Sequence, residues 1–223
     1  MIKPVGSDEL KPLFVYDPDQ HHQLMHEAES LPSVTISSQA AGNAVMMGGG
    51  YFSPLTGFMN VADAMGACGS MRMTDGKFFP VPVMCLLENV DAIKDAKRIA
   101  LRDPNMEGQP VLAVMNVEAI EEVSDEQMAF MTDKVYRTDD KEHPGVKAFN
   151  TQGRFAVSGP IQVLHFSYFQ DDFPDTFRTA VEIRNEISER GWSKIVAFQT
   201  RNPMHLAHEE LCHMAMDRLG CDG

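Results

Sequence analysis

The stretch Lys194-Ile195-Val196-Ala197-Phe198-Gln199-Thr200-Arg201-Asn202-Pro203-Met204-His205-Leu206-Ala207-His208 decides how this chain is read. Lys194 to Phe198 is a short apolar run that reads as a buried strand. A loop follows, and then a helix over about 203–219, with Asn202 as its N-cap and Pro203 at its first position. Upstream, Phe173-Pro174-Asp175-Thr176 reads as the opening of another helix. Phe177, Ala180, Val181 and Ile187 carry its apolar face, and Gly191 stops it. Helix, strand and helix in this order begin a parallel α/β layer.

The chemistry of that stretch is anionic recognition. Gln199 follows the strand, and so lies at the carboxyl edge where open α/β folds bind ligands. His205 and His208 fall in the first turns of the predicted helix and share a face. The free N–H groups of a helix start, at the positive end of its dipole, favour an anion. Arg201 adds a planar fork of donors suited to sulfate or phosphate oxygens. Gln199, Arg201, Asn202, His205 and His208 thus converge on one place where a multiply charged anion would fit.

Composition narrows the classes open to the chain. Lys and Arg number 19 against 32 Asp and Glu, a net charge of -13, which speaks against a non-specific nucleic-acid binder. A small anion would have to be captured by local donors working against that global field. No apolar run reaches the roughly 18 residues that span a bilayer, and Met1 to Glu9 has no signal-peptide core, so a cytoplasmic protein with no membrane partner is expected. Cys68, Cys85, Cys212 and Cys221 form no C-x-x-C pair and read as reduced structural thiols. The 16 methionines are scattered through apolar positions and read as core filling.

Residues 30–167 have a different texture. Short apolar runs (33–37, 78–87, 110–115 and 161–164) are separated by Gly, Pro, Asn and Asp, as strands separated by turns would be. Helices are predicted over 61–67 and 125–135. The sum reads as a mainly β domain with a few helices, barrel-like in type.

Three segments in order match one family. Gln199-Thr200-Arg201-Asn202-Pro203-x-His205-x-x-His208 resembles the ATP sulfurylase signature, whose H-x-x-H is a variant of the nucleotidyltransferase histidine motif. Gly50-Tyr51-Phe52-Ser53-Pro54-Leu55-Thr56-Gly57-Phe58-Met59 resembles its SPLxGFM segment. Tyr136-Arg137-Thr138-Asp139-Asp140-Lys141-Glu142-His143-Pro144-Gly145-Val146 resembles its T-x-D-x-x-HPGV segment.

That resemblance, to the bacterial type of the family, implies the following. Residues 1–167 would be a PUA-like N-terminal domain, and 168–223 the beginning of a Rossmann-like catalytic domain, truncated at Gly223. The fold class is α+β followed by α/β. The activity would join the adenylyl group of ATP to sulfate, giving adenosine 5′-phosphosulfate and pyrophosphate, or run in reverse to make ATP. Gln199 and Arg201 would hold sulfate. Arg201, Asn202, His205 and His208 would be catalytic, and all five residues would bind ATP. Mg²⁺ would arrive with the nucleotide, held largely by phosphate oxygens and water. The adenine-recognising residues would lie beyond Gly223, and the full-length protein would form a homo-oligomer. Two alternatives stay open. One is a nucleotidyltransferase for a different acid; the other is a non-catalytic PUA-like RNA-binding module, which the net charge disfavours.

Other features read as structure. Glu209 and His213 lie near the histidine pair at no recognised zinc spacing, so no protein-bound metal is predicted. Gly48-Gly49-Gly50 lacks a following Lys-Ser/Thr and reads as a turn before a strand. His143-Pro144-Gly145 likewise reads as a turn. His22 and His26 read as a solvated helix face. Arg178, Arg184 and Arg190 read as a salt-bridged face among Glu182, Glu186 and Glu189, with Trp192 packed at the helix-to-strand junction.

Overall fold

The computed structural model describes Pro4 and residues 7–223, which form two compact units, one running to Thr179 and one spanning Ala180–Gly223. The first unit is organised by β7, Phe155–Val163, which is paired along its whole length. β5 (Val111–Asn116) and β6 (Ala119–Glu122) run antiparallel to it one after the other, with Met115 opposite Ile161 and Ala119 opposite Ser158. β2 (Gly57–Phe58) lies against Pro160 and Gly159, and β3 (Leu86–Leu87) against Ala156 and Phe155. β4 (Arg98–Arg102) extends the sheet antiparallel to β5, and β1 (Ser33–Thr35) ends it parallel to β4.

The backbone crowds where β7 passes the β5–β6 junction. A Cβ at Gly159 would lie 2.0 Å from the Asn116 carbonyl oxygen, and one at Gly57 would lie 1.9 Å from the Gly159 carbonyl oxygen. Backbone meets backbone here, and only glycine permits the approach.

Both faces of the sheet are covered, which explains why Val111 to Met115 is apolar without alternation. Ile99, Leu101, Met115, Ile161 and Val163 join the main core. Helix α2 (Ser38–Gly48) packs on that side, burying Ala40, Ala41, Ala44, Val45 and Met47. Ala100, Val114 and Leu164 enter a second, smaller core with Leu24 and Ala28 of helix α1 (Pro18–Ala28). The Arg98 guanidinium pairs with Glu27 of the same helix.

Helix starts follow cap chemistry. Asn60 accepts from the Asp63 N–H at 2.8 Å and opens α3 (Val61–Ser70). Ser124 and Gln127 form a reciprocal capping box on α4 (Asp125–Tyr136). These two helices were expected. The exposed positions of His22 and His26 on α1 agree with a solvated face. The four cysteines are unpaired, and burial pushes the Cys68 thiol up to about 11 and the Cys85 thiol up to about 12, as inert structural thiols require.

Several expectations are corrected. Gly48-Gly49-Gly50 closes α2, a helix that the sequence reading missed, rather than preceding a strand. His143-Pro144-Gly145 is the start of helix α5 (Pro144–Asn150), with His143 Nδ1 accepting from the Val146 N–H at 3.3 Å. Of the apolar run 78–87, strand pairing is confined to Leu86–Leu87 apart from a bridge at Phe78. No helix opens at Pro174: a short helix α6 (Phe169–Asp172) ends first, and Phe177 packs on Phe166 and Phe169. Residues 173–179 stay outside regular helix, and α7 begins at Ala180 (Ala180–Glu189).

The unit Ala180–Gly223 contains α7, an extended segment 194–198 and α8 (Leu206–Leu219). After α8 the chain returns alongside 194–196 in the same direction. The Asp222 N–H donates to the Lys194 carbonyl at 2.7 Å, and the Val196 N–H donates to the Gly223 carbonyl at 2.9 Å. The direction is that of a parallel crossover. Segment 194–198 was expected as a buried strand, but Ile195 is 37% and Phe198 38% exposed and no ladder is assigned among the described residues. Two backbone bonds do not make a sheet. Arg190 pairs with Glu186 at 2.6 Å and lies over the Trp192 ring, as expected of a salt-bridged face ending at a packed tryptophan.

Asp222 ties this unit together. Its Oδ2 accepts from the Ser193 N–H (2.7 Å), the Ser193 hydroxyl (2.9 Å) and the Lys194 N–H (3.0 Å). The Ser193 N–H, the Lys194 N–H and the Ser193 hydroxyl hold its carboxyl below the ordinary carboxylate range. Because the folded value is the lower one, the clamp contributes stability above the unfolded pKa and loses it as pH falls through the folded value. Hydrogen exchange at the Ser193 and Lys194 amides should therefore stay protected through the ordinary carboxylate range and quicken only below it. Quickening already within that range would show that the clamp is weak.

Candidate active site

The residues expected to carry chemistry lie on one loop and the helix it leads into. Gln199, Arg201 and Asn202 are exposed on the chain between segment 194–198 and α8. Thr200 shapes the turn: its Oγ1 accepts from the Asn202 N–H and donates to the Asn202 carbonyl, each at 3.1 Å. Among the described residues no carboxylate is paired with Arg201, so its fork remains open to a ligand.

The expected cap is corrected. Asn202 does not cap the helix, and α8 begins three residues after Pro203, at Leu206. His205 is the N-cap, with φ -138 and ψ 172, and its Nδ1 accepts from the Ala207 N–H at 3.3 Å. His208 completes a capping box, its Nδ1 accepting from the His205 N–H at 3.4 Å. The Thr200 hydroxyl bonds the Asn202 carbonyl, the group through which an N-cap residue accepts the first intrahelical bond. Gly220 ends α8 in the left-handed conformation, and the Lys194 ammonium donates to the Leu219 carbonyl at that end.

The two histidines are brought together more closely than a shared helix face requires. Their ring centroids are 3.9 Å apart at 36°, and Phe198 lies 5.4 Å from the His208 ring. Contact is thus shown for the histidine pair, while among the described residues no hydrogen bond joins Gln199, Arg201 or Asn202 to either ring. Among the described residues, no group of three or more His, Cys, Asp or Glu is placed to hold a metal ion. No described helix is long and apolar enough to cross a membrane. A guanidinium, two side-chain amides and, at the helix start, two imidazoles suit an anion and not a hard cation.

The fold and this loop define a PUA-like domain followed by an α/β unit with an anion-suited helix start. A family model described as a PUA-like domain matches residues 2–166, and one described as ATP-sulfurylase matches residues 174–222. Over residues 2–166 the chain thus belongs to the PUA-like domain family, and its remainder is similar to ATP sulfurylases.

Among curated relatives, a sulfate adenylyltransferase of Allochromatium vinosum is 74% identical over all 223 residues, which cover 56% of that protein. One from the Riftia pachyptila sulfur-oxidizing endosymbiont is 76% identical over the same residues, covering 51% of that protein. The chain spans about half the length of the curated relatives it matches. Among solved structures, the hexameric APS kinase from Thiobacillus denitrificans aligns with a TM-score of 0.73 at 27% identity, over 99% of this chain and 38% of that one.

Proposed function

We propose that this chain contributes to a sulfate adenylyltransferase, which transfers the adenylyl group of ATP to sulfate and releases pyrophosphate. The observation that carries the reading is the exposed loop Gln199–Asn202 leading into a helix capped by His205 and His208, in a chain 74% identical to a protein of that name. Sulfate is already an anion and needs no general base to attack the α-phosphorus. The demands are to bring two anions together and to stabilise the charge that grows on the leaving pyrophosphate. Gln199 and Arg201 hold sulfate in this reading. Asn202, His205 and His208 meet the ATP phosphates, and the helix N-terminus adds its dipole. Mg²⁺ enters bound to ATP, since the loop offers it no oxygen cage. Reversal of the same steps makes ATP from adenosine 5′-phosphosulfate and pyrophosphate.

The same proposal divides the chain at about residue 167, where a PUA-like domain gives way to the catalytic one, and places the protein in the cytoplasm as a homo-oligomer. The hexameric neighbour favours self-association, and light scattering on the purified protein tests it.

Arg201→Ala is expected to lower sulfate-dependent pyrophosphate release about 10²-fold, the scale of losing one charged transition-state donor, while the circular dichroism spectrum is unchanged. Activity equal to that of the parent protein would sink the assignment.

A further inference from the structure

We infer that His205 and His208 divide their ring nitrogens between folding and chemistry: Nδ1 of each caps α8, and Nε2 of each carries the ring proton and faces the phosphates as an N–H donor. The inference rests on the site reading above and adds to it which atom of each ring does what.

The argument starts from the backbone. An amide N–H can only donate, so a ring nitrogen set in front of one must be an acceptor. The Ala207 N–H points at His205 Nδ1 at 3.3 Å, and the His205 N–H points at His208 Nδ1 at 3.4 Å. A neutral imidazole has one N–H, and with both Nδ1 atoms accepting, both protons reside on Nε2. An added proton on either Nδ1 would set donor against donor and break the cap. With the rings 3.9 Å apart, it would also set positive charge beside a second imidazole at the positive end of a helix dipole.

Capping alone does not call for histidine at these positions. Elsewhere in this chain Ser124 and Gln127 make the same box on α4, with Gln127 Oε1 accepting from the Ser124 N–H at 2.9 Å. What a histidine pair adds over Ser and Gln is a second ring nitrogen on each residue. Both rings belong to the start of α8, and Arg201, with which no carboxylate is paired among the described residues, lies four residues before His205. His208 is therefore both a positioning residue, holding the backbone of His205, and a donor in its own right.

The test uses the chain with ¹⁵N-labelled histidines and inorganic pyrophosphate as the probe. Long-range proton–nitrogen spectra should show both rings as the Nε2–H form, and pyrophosphate should shift the two Nε2 signals. His208→Gln retains a capping-box residue. It should leave exchange protection of the Glu209 and Glu210 amides unchanged and weaken pyrophosphate about tenfold, the scale of one hydrogen bond to a charged group. His205→Ser, a good N-cap, should behave in the same way. An Nδ1–H form in either ring overturns the inference and leaves the site reading standing. Unweakened pyrophosphate binding by either variant overturns the donor role. Two Nε2–H rings that ignore pyrophosphate overturn the site reading, and the inference with it.

Discussion

Gly159→Ala should unfold the first unit or come close to it, with a loss above about 4 kcal/mol. Two independent effects add. Its φ of +141 lies in territory that side chains rarely occupy, and the added Cβ would sit 2.0 Å from the Asn116 carbonyl oxygen and 3.0 Å from the Glu118 nitrogen. The neighbours are backbone atoms, so no rotamer change relieves the clash. Relief requires β7 to separate from the β5–β6 junction, breaking the Glu118 N–H bond to the Ser158 carbonyl (2.9 Å). Urea unfolding followed by circular dichroism measures the loss. A variant within about 1 kcal/mol of the parent would show that the junction yields more readily than its geometry implies.

Leu101→Ala should cost about 3–4 kcal/mol, in the upper range for a buried leucine truncated in a packed core. Leu101 is 0% exposed and lies on β4, paired with Ala113 on one side and Val34 on the other. Strands on both sides fix its backbone, so the surrounding atoms cannot collapse into the space and a cavity remains. A lower urea midpoint with an unchanged slope is the expected signature, and a loss below about 1 kcal/mol would mean that the core repacks.

Legibility in the sequence followed physical cause. Helices α3 and α4 were expected from the sequence, and the structure caps them with Asn60 and Ser124. Helix α2 was not, because its buried face is built from alanines and ends in glycines, residues whose small size suits close packing yet resembles a loop in composition. A Cβ on Gly48 would lie 2.9 Å from Val163 Cγ1, so that end of the helix presses directly on β7. Within the candidate site, the identity and order of Gln199, Arg201, Asn202, His205 and His208 were readable from the sequence. The choice of His205 over Asn202 as the cap was not. It goes with the Thr200 hydroxyl bonding the Asn202 carbonyl, a local competition that residue preferences for capping do not rank. The helix start at Ala180 was also hidden, since the Phe173-Pro174-Asp175-Thr176 stretch carries the composition of a helix opening and forms turns instead.

The position of β7 has a consequence for how the protein is made. Partners as far apart in the chain as Leu13, Gly57, Leu86, Val114 and Glu121 all hydrogen-bond or pair with residues 155–163. On a ribosome, those partners emerge first and must wait with unpaired edges until the last strand follows them. Such long-range closure is slow, and the waiting chain exposes apolar strand edges. The order of synthesis makes the first unit a late-closing domain whose completion depends on nine residues near its end.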